Sequence, residues 1–285
     1  MPSIPSVIKW TGSKRQQANF IVDLMPKHKR YFEPFLGGGS VLFLAKEKSE
    51  ENPIGSDIYS PLIELWLLIK NDPNLLIQTY AHQWNLLNHE LDDIYANKVE
   101  NLKSLPKTFY DIRDNFNKNH NPLDLNFILR TCVNGIVRFN SVGDFNNSFH
   151  LTRRGMLPKT FEKNVMVWNK KIQNVDFLNQ DYEETLNLVS KGDLVYFDPP
   201  YLHSKNRYID NLDVERFFKN LEYLNQKGVL WVLSFDGSRD EVEYNHEIPT
   251  DLFKQRLSSN TGLSRVQNLL SNKKQVVLES IYKNF

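Results

Sequence analysis

The sequence contains one cysteine, Cys132, in 285 residues. A lone thiol excludes an internal disulfide framework and a cysteine-rich zinc site, and a reducing cytoplasm is its simplest home. Long apolar runs are missing too: none approaches the roughly 20 residues a membrane span needs, so no membrane partner is expected. The start, "MPSIPSVIKWTG", lacks a basic stretch followed by an apolar one, so no secretory signal is visible. Histidine is sparse, with 7 residues, and His150 has no neighbours at ligand spacing, so no metal site is expected. There is no internal repeat and no low-complexity tract. Net charge is nearly absent at +1, while 40% apolar and 24% charged residues suit an ordinary globular chain.

That small net charge conceals an uneven distribution. Between Asn97 and Val175 stand 13 Lys and Arg against 6 Asp and Glu. A basic block inside a near-neutral chain suits one positive face, although a solvated helical surface would give the same count. The surrounding pattern is ordered. "HKRYFEPFLGGGSVLFLAKE" reads as a strand through Phe35, a glycine loop, and a helix from about Ser40. "NPIGSDI" is a second short strand ending near Asp57. From Pro61 to about Asn126 apolar residues recur at three and four spacing, the helical period. Residues 134 to 160 are rich in Asn, Gly, Ser and Arg and read as loops or a short hairpin. Strand signals return in "NVDFLNQD", "DLVYFDPPY", "GVLWVLSFDG" and "KQVVLESIYKNF", with an amphipathic helix before Gly228. Alternating strands and helices predict an α/β fold with a mostly parallel sheet. The expected division is a first domain of 1–60 with 165–285, interrupted by a helical insertion over 61–164.

Two stretches carry chemistry. In the first, a strand, a Gly-rich turn and a helix start let backbone N–H groups approach a ligand closely. Asp57 lies twenty residues after Gly37 at the next strand end, where a carboxylate commonly accepts from ribose hydroxyls. This describes a nucleoside-containing cofactor without choosing which. A dinucleotide fingerprint would need Gly where Leu42 stands, and a P-loop would need Lys after the last glycine. Glu33 would repel a pyrophosphate but would suit a positively charged ligand, such as a sulfonium or an amine. In the second stretch, two prolines after Asp198 end a strand abruptly and hold the next backbone extended.

"IKWTGSK", "YFEPFLGGGS", "SDI", "NQDY" and "VYFDPPY" occur in that order. Together they resemble the α-class, Dam-like, S-adenosylmethionine-dependent DNA adenine-N6 methyltransferases. The resemblance spans about Ile8 to Asp57, Arg130 to Leu157, and Val175 to the C-terminus; it is weak over the helical stretch between. It implies a Rossmann-like class I methyltransferase sheet with a target-recognition insertion. The implied chemistry is methylation of an adenine flipped out of duplex DNA. Asp198 and the Pro199 carbonyl would accept the two N–H bonds of the amine, Pro200 would stiffen the turn, and Tyr201 would stack on the base.

The same resemblance places Trp10, Lys14, Glu33, Phe35, Gly37, Gly39, Asp57 and Asp181 around S-adenosylmethionine. Each has a plainer reading: Trp10 as core, Lys14 as surface charge, Asp181 as a helix N-cap. "NGIVRFNSVGDFNNSFH" resembles the family's recognition hairpin, with Asn134, Arg138, Asn140 and Asn146 as its DNA-binding residues. The family often continues Val-Pro where this chain has Asn147-Ser148. Arg153 and Arg154 suit phosphate contacts better than base edges. The expected partners are double-stranded DNA and a cognate restriction endonuclease, with the enzyme a monomer or a dimer. Cytosine-N4 methylation, RNA amine methylation and a catalytically silent DNA binder are the alternatives.

Overall fold

The structure, a computed structural model, describes residues 4–96, 105–200, 212–235, 248–263 and 276–285. In chain order its elements are α1 (Ala18–Asp23), β1 (Tyr31–Glu33), α2 (Leu42–Ala45), β2 (Ile54–Asp57), α3 (Ser60–Asn71) and α4 (Pro73–Ala96). Then follow α5 (Lys107–Asn119), α6 (Pro122–Thr131), α7 (Pro158–Lys171), β3 (Asp176–Asn179), α8 (Tyr182–Asn187) and β4 (Leu194–Phe197). The chain ends with α9 (Val214–Lys227), β5 (Leu230–Phe235), β6 (Gln255–Leu263) and β7 (Val276–Lys283). Two compact units share these elements. Among the described residues one comprises 4–13 and 59–179, and the other 14–58, 180–200 and 212–285.

The second unit is built on a sheet with strand order β2-β1-β4-β5-β7-β6. β1 pairs in parallel with β2 and with β4, and β4 in parallel with β5. β7 runs antiparallel to both β5 and β6. β4 is buried along its whole length, as its run Leu-Val-Tyr-Phe requires of a strand covered on both faces. After β1 the chain steps to β2 on one side and later returns to β4 on the other. That makes the carboxyl end of β1 a topological switch point, where open α/β sheets bind ligands. The mostly parallel α/β sheet expected from the sequence is present, and β6 is an addition to it. Helix ends follow local chemistry: Asp213 caps α9 by accepting from Arg216 N–H, and Gly228, with φ 71°, closes it.

The first unit is helical. Trp66 of α3 stacks on Phe177 of β3 at 5.5 Å and packs against Trp168 of α7 at 5.0 Å. The amino-terminal segment joins this core through main-chain carbonyls. Arg130 donates to the carbonyls of Ser6 and Val7, and Trp168 donates from its indole to Pro5 O at 2.8 Å. Residues 133–149 contain a one-turn helix at Val133–Gly135 and a small hairpin closed by a Phe139–Phe145 bridge.

Candidate active site

The candidate site of the second unit gathers at the carboxyl ends of β1, β2 and β4. Glu33, the last residue of β1, is 3% exposed. Tyr31 lies two residues back on the same strand face and donates its hydroxyl to Glu33 Oε2 at 2.6 Å. Burial pushes the Glu33 carboxyl up to about 8, and the nearby Asp198 charge pushes the same way. The Tyr31 hydroxyl and the Leu42 backbone oppose that rise. The Tyr31 hydroxyl is itself raised well above its ordinary value, by burial first and Glu33 second.

Asp198 follows directly on β4, and the Lys14 ammonium sits 2.7 Å from its Oδ1. Both side chains are largely enclosed, at 5% exposure for Lys14 and 19% for Asp198. An enclosed ion pair of that length fixes the carboxylate's orientation as well as its charge. Pro199 is buried and Pro200 half-buried. β4 is tied to β5 by a buried Tyr196–Ser234 hydroxyl pair at 2.8 Å.

The glycine loop sits between the β1 and β2 ends. Gly37 and Gly39 have φ of 46° and 60°, a region in which a side chain is strained. Gly37 N–H donates to Asp57 Oδ2 at 3.1 Å, and Leu36 N–H donates to Ser56 O at 2.9 Å. Gly55 leaves room for the loop, because a Cβ there would lie 3.0 Å from Leu36 Cδ1 and press that side chain aside. Buried Ser56 and Thr185 share a hydroxyl hydrogen bond of 2.6 Å, which ties β2 to α8. Asp181 caps α8 by accepting from Glu183 N–H at 2.9 Å. Phe35 stacks on Tyr182 with ring centroids 5.2 Å apart.

The predicted residues Lys14, Glu33, Phe35, Gly37, Gly39, Asp57, Asp181 and Asp198 through Pro200 therefore fall within one unit around three strand ends. Sequence reasoning missed Tyr31, Gly55, Ser56 and Tyr182. Tyr31, Ser56 and Tyr182 stand inside the quoted motifs but are assigned no role there, and Gly55 precedes one of them. Lys14 was expected at the cofactor, and the structure adds its pairing with Asp198. Tyr201 lies outside the described residues. Trp10 belongs to the first unit, where it packs against Tyr59 at 6.1 Å.

The predicted DNA-binding residues all lie in the first unit. Arg138 donates from Nε to Asn146 Oδ1 at 2.8 Å and from a terminal nitrogen to Asn146 O at 3.0 Å. Asn140 Oδ1 accepts from Val142 and Asp144 N–H at 3.0 and 2.9 Å, which closes the hairpin tip. Asn134 is exposed with φ 55°, a left-handed conformation that asparagine tolerates. Arg153 is exposed, and Arg154 is paired with Asp92. Among the described residues no group of His, Cys, Asp and Glu could hold a metal, and no helix is long and apolar enough to cross a membrane.

The second unit thus presents a sheet switch point with a glycine loop, a buried carboxyl group on Glu33, and a half-buried Asp198 paired with the buried Lys14. The chain belongs to the D12 class N6 adenine-specific DNA methyltransferases, whose family profile matches residues 10–269. Among similar proteins, the type II methyltransferase M.MjaIII of Methanocaldococcus jannaschii is 35% identical over 209 residues, 68% of each chain. The type II methyltransferase M1.LlaDCHI of Lactococcus lactis subsp. cremoris is 30% identical over 247 residues, 81% of this chain and 80% of that one. The DNA adenine methylase of Salmonella typhi is 30% identical over 198 residues, 68% of this chain and 64% of that one. The protein is thus an enzyme that methylates adenine in DNA with S-adenosylmethionine as methyl donor.

Proposed function

We propose that Asp198 and the Pro199 carbonyl accept the two N–H bonds of the target adenine's amine at the tip of β4. The 2.7 Å Lys14–Asp198 pair carries this reading, because it orients a carboxylate that would otherwise rotate. The amine is a poor nucleophile while its lone pair is delocalised into the ring. Two fixed acceptors favour the pyramidal nitrogen, and the proline-fixed carbonyl needs little reorganisation. Tyr201 stacks on the flipped base.

S-adenosylmethionine, when bound, supplies a methyl group on a positively charged sulfur. Its holding is assigned to Glu33, Phe35, Gly37, Gly39, Asp57 and Asp181, with Lys14 lining the site. The donor set fits: Glu33 and Asp198 favour a cation, Asp57 favours ribose hydroxyls, and Asp181 favours an adenine amine. Residues 1–60 with 165–285 then form the catalytic part, and 61–164 with the 138–146 hairpin form the recognition part, a division that the two compact units support in outline. Asn134, Arg138, Asn140, Asn146, Arg153 and Arg154 are assigned to its DNA side, Arg138 with Asn146 as a bonded pair. Two similar proteins carry type II methyltransferase names, which supports a cognate restriction endonuclease as partner. We take the enzyme as an intracellular monomer. Single-molecule sequencing of plasmid DNA from cells expressing the protein tests the whole reading. Methylated adenine in one sequence context is expected, and unmodified DNA from cells that contain the folded protein would refute it.

A further inference from the structure

Arg153 and Arg154 look equivalent in the sequence, and the structure separates them. On α4, Tyr80, Trp84, Asn88 and Asp92 recur every four residues and so share one helix face. Each meets the segment 154–156 in turn. The Tyr80 hydroxyl accepts from Met156 N–H at 2.9 Å and donates to Met156 O at 2.7 Å. Gly155, with φ 83°, lies where a Cβ would be 3.1 Å from Tyr80 Oη and 3.3 Å from both Trp84 Cδ1 and Thr131 Cγ2. Asn88 Nδ2 reaches Arg154 O at 3.4 Å, and Asp92 pairs with the Arg154 guanidinium. The segment is therefore docked residue by residue along three turns of helix.

Arg153 differs. Its backbone N–H donates to His150 O at 3.0 Å, which closes a turn, and its side chain is exposed. No carboxylate pairs with it among the described residues.

We propose that the α4 stripe Tyr80–Trp84–Asn88–Asp92 is a ruler that sets the DNA-contacting segment. In this arrangement Arg153 is the phosphate contact, and Arg154 is a positioning residue clamped to Asp92. This rests on reading the segment as part of the DNA face. A backbone fixed at Met156 by two hydrogen bonds and at Gly155 by close packing has little freedom to slide. The arginine presented just before it is then delivered at a defined height above α4. In an enzyme that must bring one base to one strand end, such a register determines how well duplex engagement leads to transfer.

The test uses the full-length enzyme, duplex oligonucleotides over a salt series, and steady-state methylation. Arg153→Ala should lower the slope of log K against log salt by about one unit, the loss of one phosphate contact. Arg154→Ala and Asp92→Ala should leave that slope unchanged and raise KM for DNA about two- to fivefold, with kcat kept. That is the range of an exposed ion pair. The double variant should be no worse than either single one. Gly155→Ala changes no charge but forces the segment off its seat, and should raise KM roughly tenfold at unchanged slope. If Arg154→Ala lowers the slope by one unit while Asp92→Ala tightens DNA binding, Arg154 is itself the contact and the clamp is refuted. If Arg153→Ala leaves affinity and slope unchanged, the segment is not on the DNA face, and the underlying reading fails instead.

Discussion

Asp198 sits where charge and geometry coincide, so its substitutions separate the two. Asp198→Ala takes this partner from the enclosed Lys14 ammonium and should lower stability, so its folded state is verified first by its melting curve. Duplex affinity should largely persist, since it comes mainly from phosphate contacts. Single-turnover methylation should fall at least roughly 100-fold, the scale of losing one preorganised group aimed at a transition state. Asp198→Asn keeps an acceptor without the charge and should lie between. Wild-type rates for Asp198→Ala would end the mechanism.

Glu33 gives a second residue-scale test through pH. Its carboxyl titrates near 8, by burial and by the Asp198 charge, against an ordinary 4.5. The groups acting on it are Tyr31 on its own strand, the Leu42 backbone, and Asp198 just after β4, which is paired with Lys14. A raised acid is neutral in the folded state, so its stability contribution is complete below 4.5 and is lost as pH rises through about 8. A cation binds best to the ionised form, so cofactor affinity has the opposite trend. Between pH 6 and 9 the unliganded melting temperature should fall while S-adenosylmethionine affinity rises. In Glu33→Gln both trends should flatten. Calorimetric binding with the same pH profile in wild type and Glu33→Gln would remove Glu33 from the cofactor site.

At the scale of elements, what could be read depended on periodicity and punctuation. β4 and β5 are apolar runs ended by Asp-Pro-Pro or begun after Gly228, and both were legible. β6 was not: Gln-Arg-Leu-Ser-Ser-Asn-Thr-Gly-Leu is polar, and it exists as a strand because β7 pairs with it over most of its length. The hairpin was anticipated from its residues, but its anchors were not. Asn117 of α5 accepts from Phe145 N–H at 2.8 Å and donates to Phe145 O at 3.1 Å, acting as an extra strand position. Asn147, where the family often has Val, is 7% exposed and donates to the carbonyls of Val133 and Ile136, each at 2.9 Å. That departure from the family pattern is a structural tie, and no spacing rule marks such long-range amide partners. Asn117→Leu should therefore loosen the hairpin alone. Amide exchange at Phe145 should quicken by about tenfold or more, as expected when a buried N–H loses its acceptor. Discrimination between DNA sequences should weaken, and global melting should change little. Unchanged exchange at Phe145 would show that the Phe139–Phe145 bridge suffices without Asn117.

At the scale of the molecule, the basic block overstates the cations available to DNA. Arg130 is 6% exposed, Arg154 is paired with Asp92, Lys107 with Asp111, and Arg113 with Asp114. Counting along the chain includes Asp111 and Asp114, but it could not show the burial of Arg130 or the Asp92–Arg154 pair, whose partners stand 62 residues apart. Arg130 makes the sharpest test. Its guanidinium donates to Ser6 O, Val7 O and Asn126 Oδ1, and lies 4.6 Å from the Phe161 ring centre. Burial pulls its pKa down to about 10, so it keeps its proton throughout the working range. The carbonyls it holds belong to a segment more than a hundred residues earlier, so its bonds help fold the first unit. Arg130→Ala should lower unfolding free energy by about 2–4 kcal/mol, since charged hydrogen bonds are lost and the Val7 carbonyl loses this donor, while Ser6 O keeps Asn164. Below the melting temperature the salt slope of DNA binding should stay at the wild-type value, unlike Arg153→Ala. Arg130→Lys keeps the charge but not the fork that reaches three acceptors, and should recover only part of the stability. A reduced salt slope in folded Arg130→Ala would place this arginine on the DNA face. A wild-type denaturation midpoint would show that the amino-terminal segment is held without it.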